Sequence, residues 1–181
     1  AECNLADENA IRRLVQALQP DLIVNPAAYT AVDKAESEPA LAAAINTRAI
    51  AVFGEEAVKL GAWVIHYSTD YVFDGTKQGH YTEQDATNPQ SVYGRTKRDG
   101  ELALQQSGAK HLILRTSWVV GAHGANFAKT MLRLAAERDS LNVVADQFGA
   151  PTSAALLADI TAHLVRQCQR EGKQTFPFGT Y

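Results

Sequence analysis

The sequence predicts an α/β fold built on a doubly wound parallel sheet, and three observations carry the prediction. Short apolar runs alternate with helical patterns along the 181 residues. The runs are apolar with little interruption, as strands covered on both faces are. Polar and aromatic residues gather directly after those runs, at the strand ends where an open parallel sheet binds its ligands.

Each element follows from local signals. Asp7 is placed to cap a first helix, with Ile11, Leu14, Val15 and Leu18 at helical spacing. Pro20-Asp21 ends that helix, and Leu22-Ile23-Val24-Asn25 reads as a short strand. Ser37-Glu38-Pro39 opens a long Ala-rich helix, and Pro39 suits the first turn, where its missing N–H goes unused. Leu41, Ile45, Val52 and Phe53 are its expected core positions, and Gly61 closes it. Trp63-Val64-Ile65-His66-Tyr67 is the next strand. From Thr69 to about Ser91 no period appears, and long structureless stretches in a compact domain are usually functional. A helix follows through Tyr93, Lys97, Glu101 and Leu104, then a strand from His111 to Arg115. Phe127, Met131, Leu132 and Leu134 mark another helix. Leu141-Asn142-Val143-Val144 reads as a short strand before a turn at Gly149-Ala150-Pro151-Thr152. Leu156, Ile160 and Leu164 mark the last helix, and Gly179-Thr180-Tyr181 reads as the beginning of a strand. The order α-β-α-β-α-β-α-β-α makes the sheet Rossmann-like. No internal repeat, low-complexity segment or linker divides the chain.

Composition narrows the function. A net charge of −3 gives no basic footprint for nucleic acid or an anionic membrane. No apolar run approaches the length of a bilayer span. Ala1-Glu2-Cys3-Asn4 lacks the pattern of a signal peptide. Cys3 and Cys168 make neither a disulfide framework nor a metal-ligand cluster. A reducing cytoplasm is the expected location, with neither nucleic acid nor membrane as partner.

Three strand exits hold the polar candidates: Asn25 to Thr30, Ser68 to Tyr71, and Thr116-Ser117-Trp118. The helix at Tyr93 starts near the same rim. Tyr93 and Lys97, four apart on that helix, share one face. A phenol with a pKa near ~10 moves protons poorly at neutral pH, and a nearby ammonium favours the phenolate. With the Thr69 hydroxyl holding a carbonyl and Tyr93 delivering a proton, the group fits carbonyl reduction with hydride from a separate cofactor. Alternatively, Tyr93 merely packs on the sheet and Lys97 is a solvated charge. The sequence has no Gly-x-Ser-x-Gly elbow, and its five histidines show no metal-ligand spacing. His66 and His111, in or beside strands, read as satisfied structural histidines. Trp118 is either a core residue or a stacking surface for a base or sugar. Asp33, Glu36 and Glu38 read as the solvated start of a helix.

Ser68-Thr69-Asp70-Tyr71-Val72-Phe73-Asp74-Gly75 resembles the extended short-chain dehydrogenases/reductases, and the dTDP-4-dehydrorhamnose reductases in particular. The likeness runs through Asn25 to Glu36, Tyr81, Glu83, Asp85, Asn88-Pro89, and Tyr93-Gly94-Arg95-Thr96-Lys97. It continues through Arg115 to Trp118, Asn126 to Met131, and Asp146 to Thr152. The resemblance implies reduction of the 4-keto group of dTDP-4-dehydro-L-rhamnose by NADPH or NADH, the last step of dTDP-L-rhamnose synthesis. Tyr93 would then be the proton donor, Lys97 would hold the nicotinamide ribose and tune Tyr93, and Thr69 would assist. Asp70 and Trp118 would meet the sugar. Ala28, Tyr29, Thr30 and Tyr67 would line the cofactor, with Asn4 and Leu5 near the adenine.

Some positions depart from the family. Asn4 stands where an aspartate is usual, and Pro26 where a small residue is usual. No glycine-rich pyrophosphate turn occurs. The sequence therefore reads as a partial NAD(P)-binding domain over residues 1–181, lacking the family's first strand, turn and helix. Its last stretch leads toward the substrate-binding portion, most of which is absent, so weak cofactor binding and little turnover are expected of this stretch alone. Magnesium serves some reductases of this kind, but no ligands for it are identified here, and a homodimer is left open. Two rival readings are another nucleotide-sugar enzyme of the superfamily (an epimerase or a dehydratase), and a non-catalytic regulatory subunit like that of methionine adenosyltransferase. Asp70-Tyr71 after the threonine fits a reductase better than a dehydratase, and the Tyr93, Lys97 and Thr69 set argues against pure regulation.

Overall fold

A computed structural model describes residues 3–181, which fall into two compact units: residues 3–115 with 178–181, and residues 116–177. In the first unit a four-stranded sheet runs in the order β1 (Leu22–Asn25), β2 (Trp63–Thr69), β3 (Lys110–Thr116), β6 (Gly179–Thr180). β1 pairs parallel with β2, and β3 pairs parallel with β6. The strand expected at the end of the chain is therefore present, with Leu112 opposite Gly179.

Helix α1 (Glu8–Leu18) starts as expected, with the Asp7 side chain accepting from Ala10 N. It buries Ile11 and Val15, while Leu18 stays exposed. Those two join Ile50, Val52, Phe53, Val64, Leu104 and Ile113 in the main apolar cluster. The Ala-rich helix differs from its expected form. A short α2 (Val32–Ser37) precedes it, and it divides into α3 (Pro39–Ala43), a π-helical stretch (Ala44–Arg48) and α4 (Ala49–Leu60). Pro39 occupies the first turn, and Gly61 ends α4 in the left-handed region at φ 65°. Leu41 is exposed rather than part of the core; Ala42, Ala44 and Asn46 are buried in its place. Small residues on that face let α5 (Val92–Gln106) come close, and one glycine of α5 makes this visible. A methyl group on Gly100 would fall inside 3.0 Å of the Asn46 carbonyl oxygen.

The second unit holds a two-stranded parallel sheet of β4 (Val119–Val120) and β5 (Thr152–Ser153), with helices α6 (Phe127–Glu137) and α7 (Ala154–Glu171). Asn126 caps α6 by accepting from Lys129 N, and Ser153 caps α7 by accepting from Leu156 N. No strand forms at residues 141–144: Val143 and Val144 are exposed, and β4 pairs with β5 instead. An apolar run makes a strand only where a neighbour completes its ladder. The expected turn at 149–152 is also absent; Thr152 is already in β5, and the bend falls at Ala145-Asp146. The apolar residues of α6 are not core, for no residue of that helix is buried.

Candidate active site

Three neighbouring segments of the first unit build the site: the end of β2, the single 3₁₀ turn that follows it (Asp70–Val72), and the first two turns of α5. Thr69 caps the 3₁₀ turn, its Oγ1 accepting from Tyr71 N at 3.2 Å and donating to Asp70 Oδ1 at 3.1 Å. Ser91 caps α5 by accepting from Gly94 N at 3.0 Å. Gly94 has no side chain because the Tyr71 carbonyl lies where a Cβ would be. That close approach brings Tyr93 beside Thr69: their side chains hydrogen-bond, and the Tyr71 and Tyr93 rings meet edge to face at 5.6 Å. The expected group of Thr69, Tyr93 and Lys97 is thus gathered within one unit.

Burial pushes the Tyr93 phenol above its usual pKa, with Asp70 and Tyr71 adding to the rise, while the Thr69 hydrogen bond opposes it. Lys97 follows one turn later on the same face of α5. Its Nζ lies 2.6 Å from the Tyr67 carbonyl and 3.2 Å from His66 Nε2. Lys97 is 2 % exposed, so it is far from a solvated charge. Desolvation lowers it to about 8, with Glu101 acting against the fall. Glu101 is in turn held in a two-pronged pair by Arg115, at 3.0 and 2.6 Å.

The segment after β1 is clamped from behind. Asn46, buried in the π-helical stretch, accepts from Tyr29 N at 2.8 Å and donates to Tyr29 O at 3.1 Å and to Thr96 Oγ1 at 3.1 Å. Ala28 and Tyr29 are half-buried and Thr30 is exposed. The Tyr29 hydroxyl donates to Glu38 at 2.7 Å, and Lys34 pairs with the same carboxylate at 2.9 Å. Glu36 accepts from Val92 N at 2.7 Å, at the start of α5. Glu36 and Glu38 are therefore fixed by partners rather than merely solvated, because the α2 turn aims them back at the site.

Asn4 and Leu5 precede α1. The Asn4 side chain accepts from Ala6 N at 3.0 Å, and Leu5 packs on the main apolar cluster. Trp118 belongs to the second unit, where its backbone is left-handed (φ 46°) and its ring lies 5.5 Å from that of Phe127. It is 37 % exposed, so it is no core residue.

Asn25, at a strand exit already singled out, belongs to the site's framework together with Asn46, His66 and Thr96, to which sequence reasoning assigned no site role. A polar residue inside an apolar strand run, such as His66, was the available signal. Asn46 had none, because an asparagine in an Ala-rich helix looks like surface. Among the described residues, no group of three or more His, Cys, Asp or Glu could hold a metal ion, and no helix is long and apolar enough to cross a membrane.

The chain resembles known proteins over its whole length. It is 56 % identical over 163 residues to a dTDP-4-dehydrorhamnose reductase of Salmonella typhimurium, covering 90 % of this chain and 54 % of that one. To the reductase of Burkholderia thailandensis it is 48 % identical over 181 residues, covering 99 % of this chain and 61 % of that one. Its fold matches the crystal structure of the Bacillus anthracis dTDP-4-dehydrorhamnose reductase in complex with NADP, with a TM-score of 0.88 and 37 % identity. That match covers 99 % of this chain and 61 % of the other. The expected Rossmann-like α/β fold is confirmed by this likeness, and the chain spans a little over half the length of these relatives. A family model for the RmlD substrate binding domain matches residues 1–181, and the chain belongs to that family.

Proposed function

We propose that the full-length chain reduces the 4-keto group of dTDP-4-dehydro-L-rhamnose to dTDP-L-rhamnose, with NADPH or NADH as reductant. The observation that carries the reading is the Thr69–Tyr93 hydrogen bond beside a desolvated Lys97, in a chain 56 % identical to a reductase of that name. The first unit then serves as part of the NAD(P)-binding domain, and the second leads toward the substrate-binding portion.

The residues present fit the ribose end of such a cofactor. An ammonium has three N–H groups. The Tyr67 carbonyl and His66 engage Lys97 Nζ from the protein side, which leaves a third N–H for a ribose hydroxyl. Ala28, Tyr29, Thr30 and Tyr67 would flank the cofactor, with Asn4 and Leu5 toward the adenine. The cofactor supplies the hydride for the carbonyl carbon. Thr69 Oγ1 orients the carbonyl oxygen, and Tyr93 gives that oxygen its hydroxyl proton as the C=O bond becomes CH–OH. Asp70 and Trp118 are assigned to the sugar. The soluble dTDP-sugar is the small-molecule partner.

The test is oxidation of NADPH or NADH by the full-length chain with the keto sugar, wild type against Tyr93→Phe. Oxidation that falls by about 10²- to 10⁴-fold in the variant is expected. A wild type that oxidises neither cofactor with this sugar overturns the proposal.

A further inference from the structure

Lys97 ends a buried polar chain that the proposed reaction does not by itself require. Asn25 on β1, His66 on β2 and Lys97 on α5 are all buried. Asn25 Nδ2 lies 3.2 Å from His66 Nδ1, and His66 Nε2 lies 3.2 Å from Lys97 Nζ. The sheet itself sets up the first link, since Asn25 and His66 are register partners in the parallel β1–β2 ladder. A buried polar group persists only when hydrogen-bonded, so each link has a donor and an acceptor.

Proton counting decides which is which. Burial, and then the Lys97 charge, keep His66 from taking up a proton, so its ring is neutral with one N–H and one lone pair. A charged Lys97 can only donate. It gives one N–H to the Tyr67 carbonyl and another to the His66 Nε2 lone pair. The imidazole proton then sits on Nδ1, which faces Asn25: the Asn25 backbone hydrogen-bonds the ring, and its side-chain amide can present oxygen in place of Nδ2. That oxygen otherwise accepts from Ala27 N at 3.3 Å, so turning the amide trades this long bond for one from Nδ1–H. The opposite polarity has the Asn25 amino group donating to Nδ1 and Nε2–H donating to Lys97, which admits only a neutral amine. The two polarities of the chain are therefore the two protonation states of Lys97.

We propose that His66 is a positioning residue that holds Lys97 through its Nε2 lone pair and stabilises its charged form, with the Asn25 amide turning to match. This rests on the reading of Lys97 as the cofactor-side partner of Tyr93. Other groups facing Lys97 are accounted for. Tyr93 and Glu101 lie on its own helix, and Glu101 is bound to Arg115 of β3. Asp70 in the 3₁₀ turn acts on Tyr93, and Asn25 on β1 carries no charge.

The test is an NMR titration of lysine Nζ resonances in the full-length chain. Lys97, near about 8, stands apart from surface lysines near ~10.4. His66→Leu removes the acceptor and is expected to lower the Lys97 pKa by about one unit, tenfold in the ionisation constant, as befits one hydrogen bond to a charged group. His66→Gln, whose amide reaches the place of Nε2, is expected to titrate like wild type. His66→Asn reaches only the place of Nδ1 and is expected to follow His66→Leu. An unchanged Lys97 in folded His66→Leu overturns the proposal, as do Gln and Asn variants that shift alike; if the Leu variant does not fold, the Gln and Asn pair decides. Keto-sugar reduction by wild type is measured alongside. Its absence with this titration pattern intact overturns the reductase reading and supports the positioning of Lys97.

Discussion

Gly100→Ala is a single methyl group with opposing effects, and the structure decides which wins. In an ordinary helix interior the change stabilises by about 1 kcal/mol, since alanine loses less backbone freedom. At position 100 the new Cβ falls inside 3.0 Å of the Asn46 carbonyl oxygen, a backbone atom that no rotamer change can move. Ile50 Cγ1 stands 3.5 Å away on the same side. Overpacking of this kind costs roughly 1–3 kcal/mol. The displaced residue is Asn46, whose buried amide makes three hydrogen bonds, to Tyr29 N, Tyr29 O and Thr96 Oγ1. Losing one of them adds about 1–3 kcal/mol. Retreat of α5 is hindered because Gly94, nearer its start, is packed equally closely on the Tyr71 carbonyl.

The net expectation for Gly100→Ala is destabilisation by about 1–4 kcal/mol. Urea denaturation of wild type and variant, followed by circular dichroism, measures it as a lower midpoint at unchanged slope. Because Asn46 clamps Tyr29, weaker NADPH binding is expected along with the lost stability. A variant as stable as wild type, or more so, would show that helix propensity dominates and that the close approach of α5 to the π-helical stretch does not constrain the fold.

Two further expectations concern buried charge. Glu56, which is buried between α1 and α4 and bonded to Lys59, Gln16 and Arg12, is held down to about 2 from its ordinary 4.5. Its contribution is therefore complete above pH 4.5 and fades as pH falls toward 2. Glu56→Gln should lose about 1–2 kcal/mol at pH 7, discounted for the solvent that reaches its partners, and converge with wild type near the acid end. Parallel curves across that range would refute the assignment. Arg115→Met strands the Glu101 carboxylate, 2 % exposed, and should destabilise by about 3–5 kcal/mol. Adding Glu101→Leu should recover most of the loss in thermal unfolding, and a double variant no better than the single would sink the explanation.

What the sequence made legible is the part governed by local rules. Asp7, Pro39 and Gly61 punctuate helices where their backbone chemistry says they should, and Trp63 onward is apolar enough to be an interior strand. The Tyr93 and Lys97 pair was readable because helical spacing fixes a shared face. The run at 141–144 misled because β propensity reports side-chain fit to a pleated surface, not the presence of a neighbour to pair with. The π-helical stretch was invisible, since what holds it is tertiary: the Asn46 side chain bonds Tyr29 and Thr96, and its carbonyl lies against Gly100. Lys97 shows the same limit at the site. Spacing put it near Tyr93 but could not say that His66 and the Tyr67 carbonyl would claim its N–H groups first.

That last point changes how the proposed proton transfer works. A donor in a reduction must start protonated, and burial does this for Tyr93 by raising its pKa. The difficulty moves to the phenolate left behind, in a pocket that disfavours charge. Thr69 has one hydroxyl proton, and Asp70, the substrate carbonyl and the phenolate compete for it. Without substrate, Tyr93 can donate to Thr69 Oγ1 while Thr69 donates to Asp70 Oδ1 at 3.1 Å. After transfer, the phenolate can accept only, and the Thr69 proton turns from Asp70 to Tyr93. A rotation of one O–H bond thus stabilises the product of each state with no movement of heavy atoms. Valine at position 69 would keep the shape and remove both the rotor and the cap on Tyr71 N, so the reaction should slow and stability fall by about 1 kcal/mol while the Lys97 titration stays as it is. Threonine at this position is in this sense the partner that a buried acid requires, beside a Lys97 held from behind by His66.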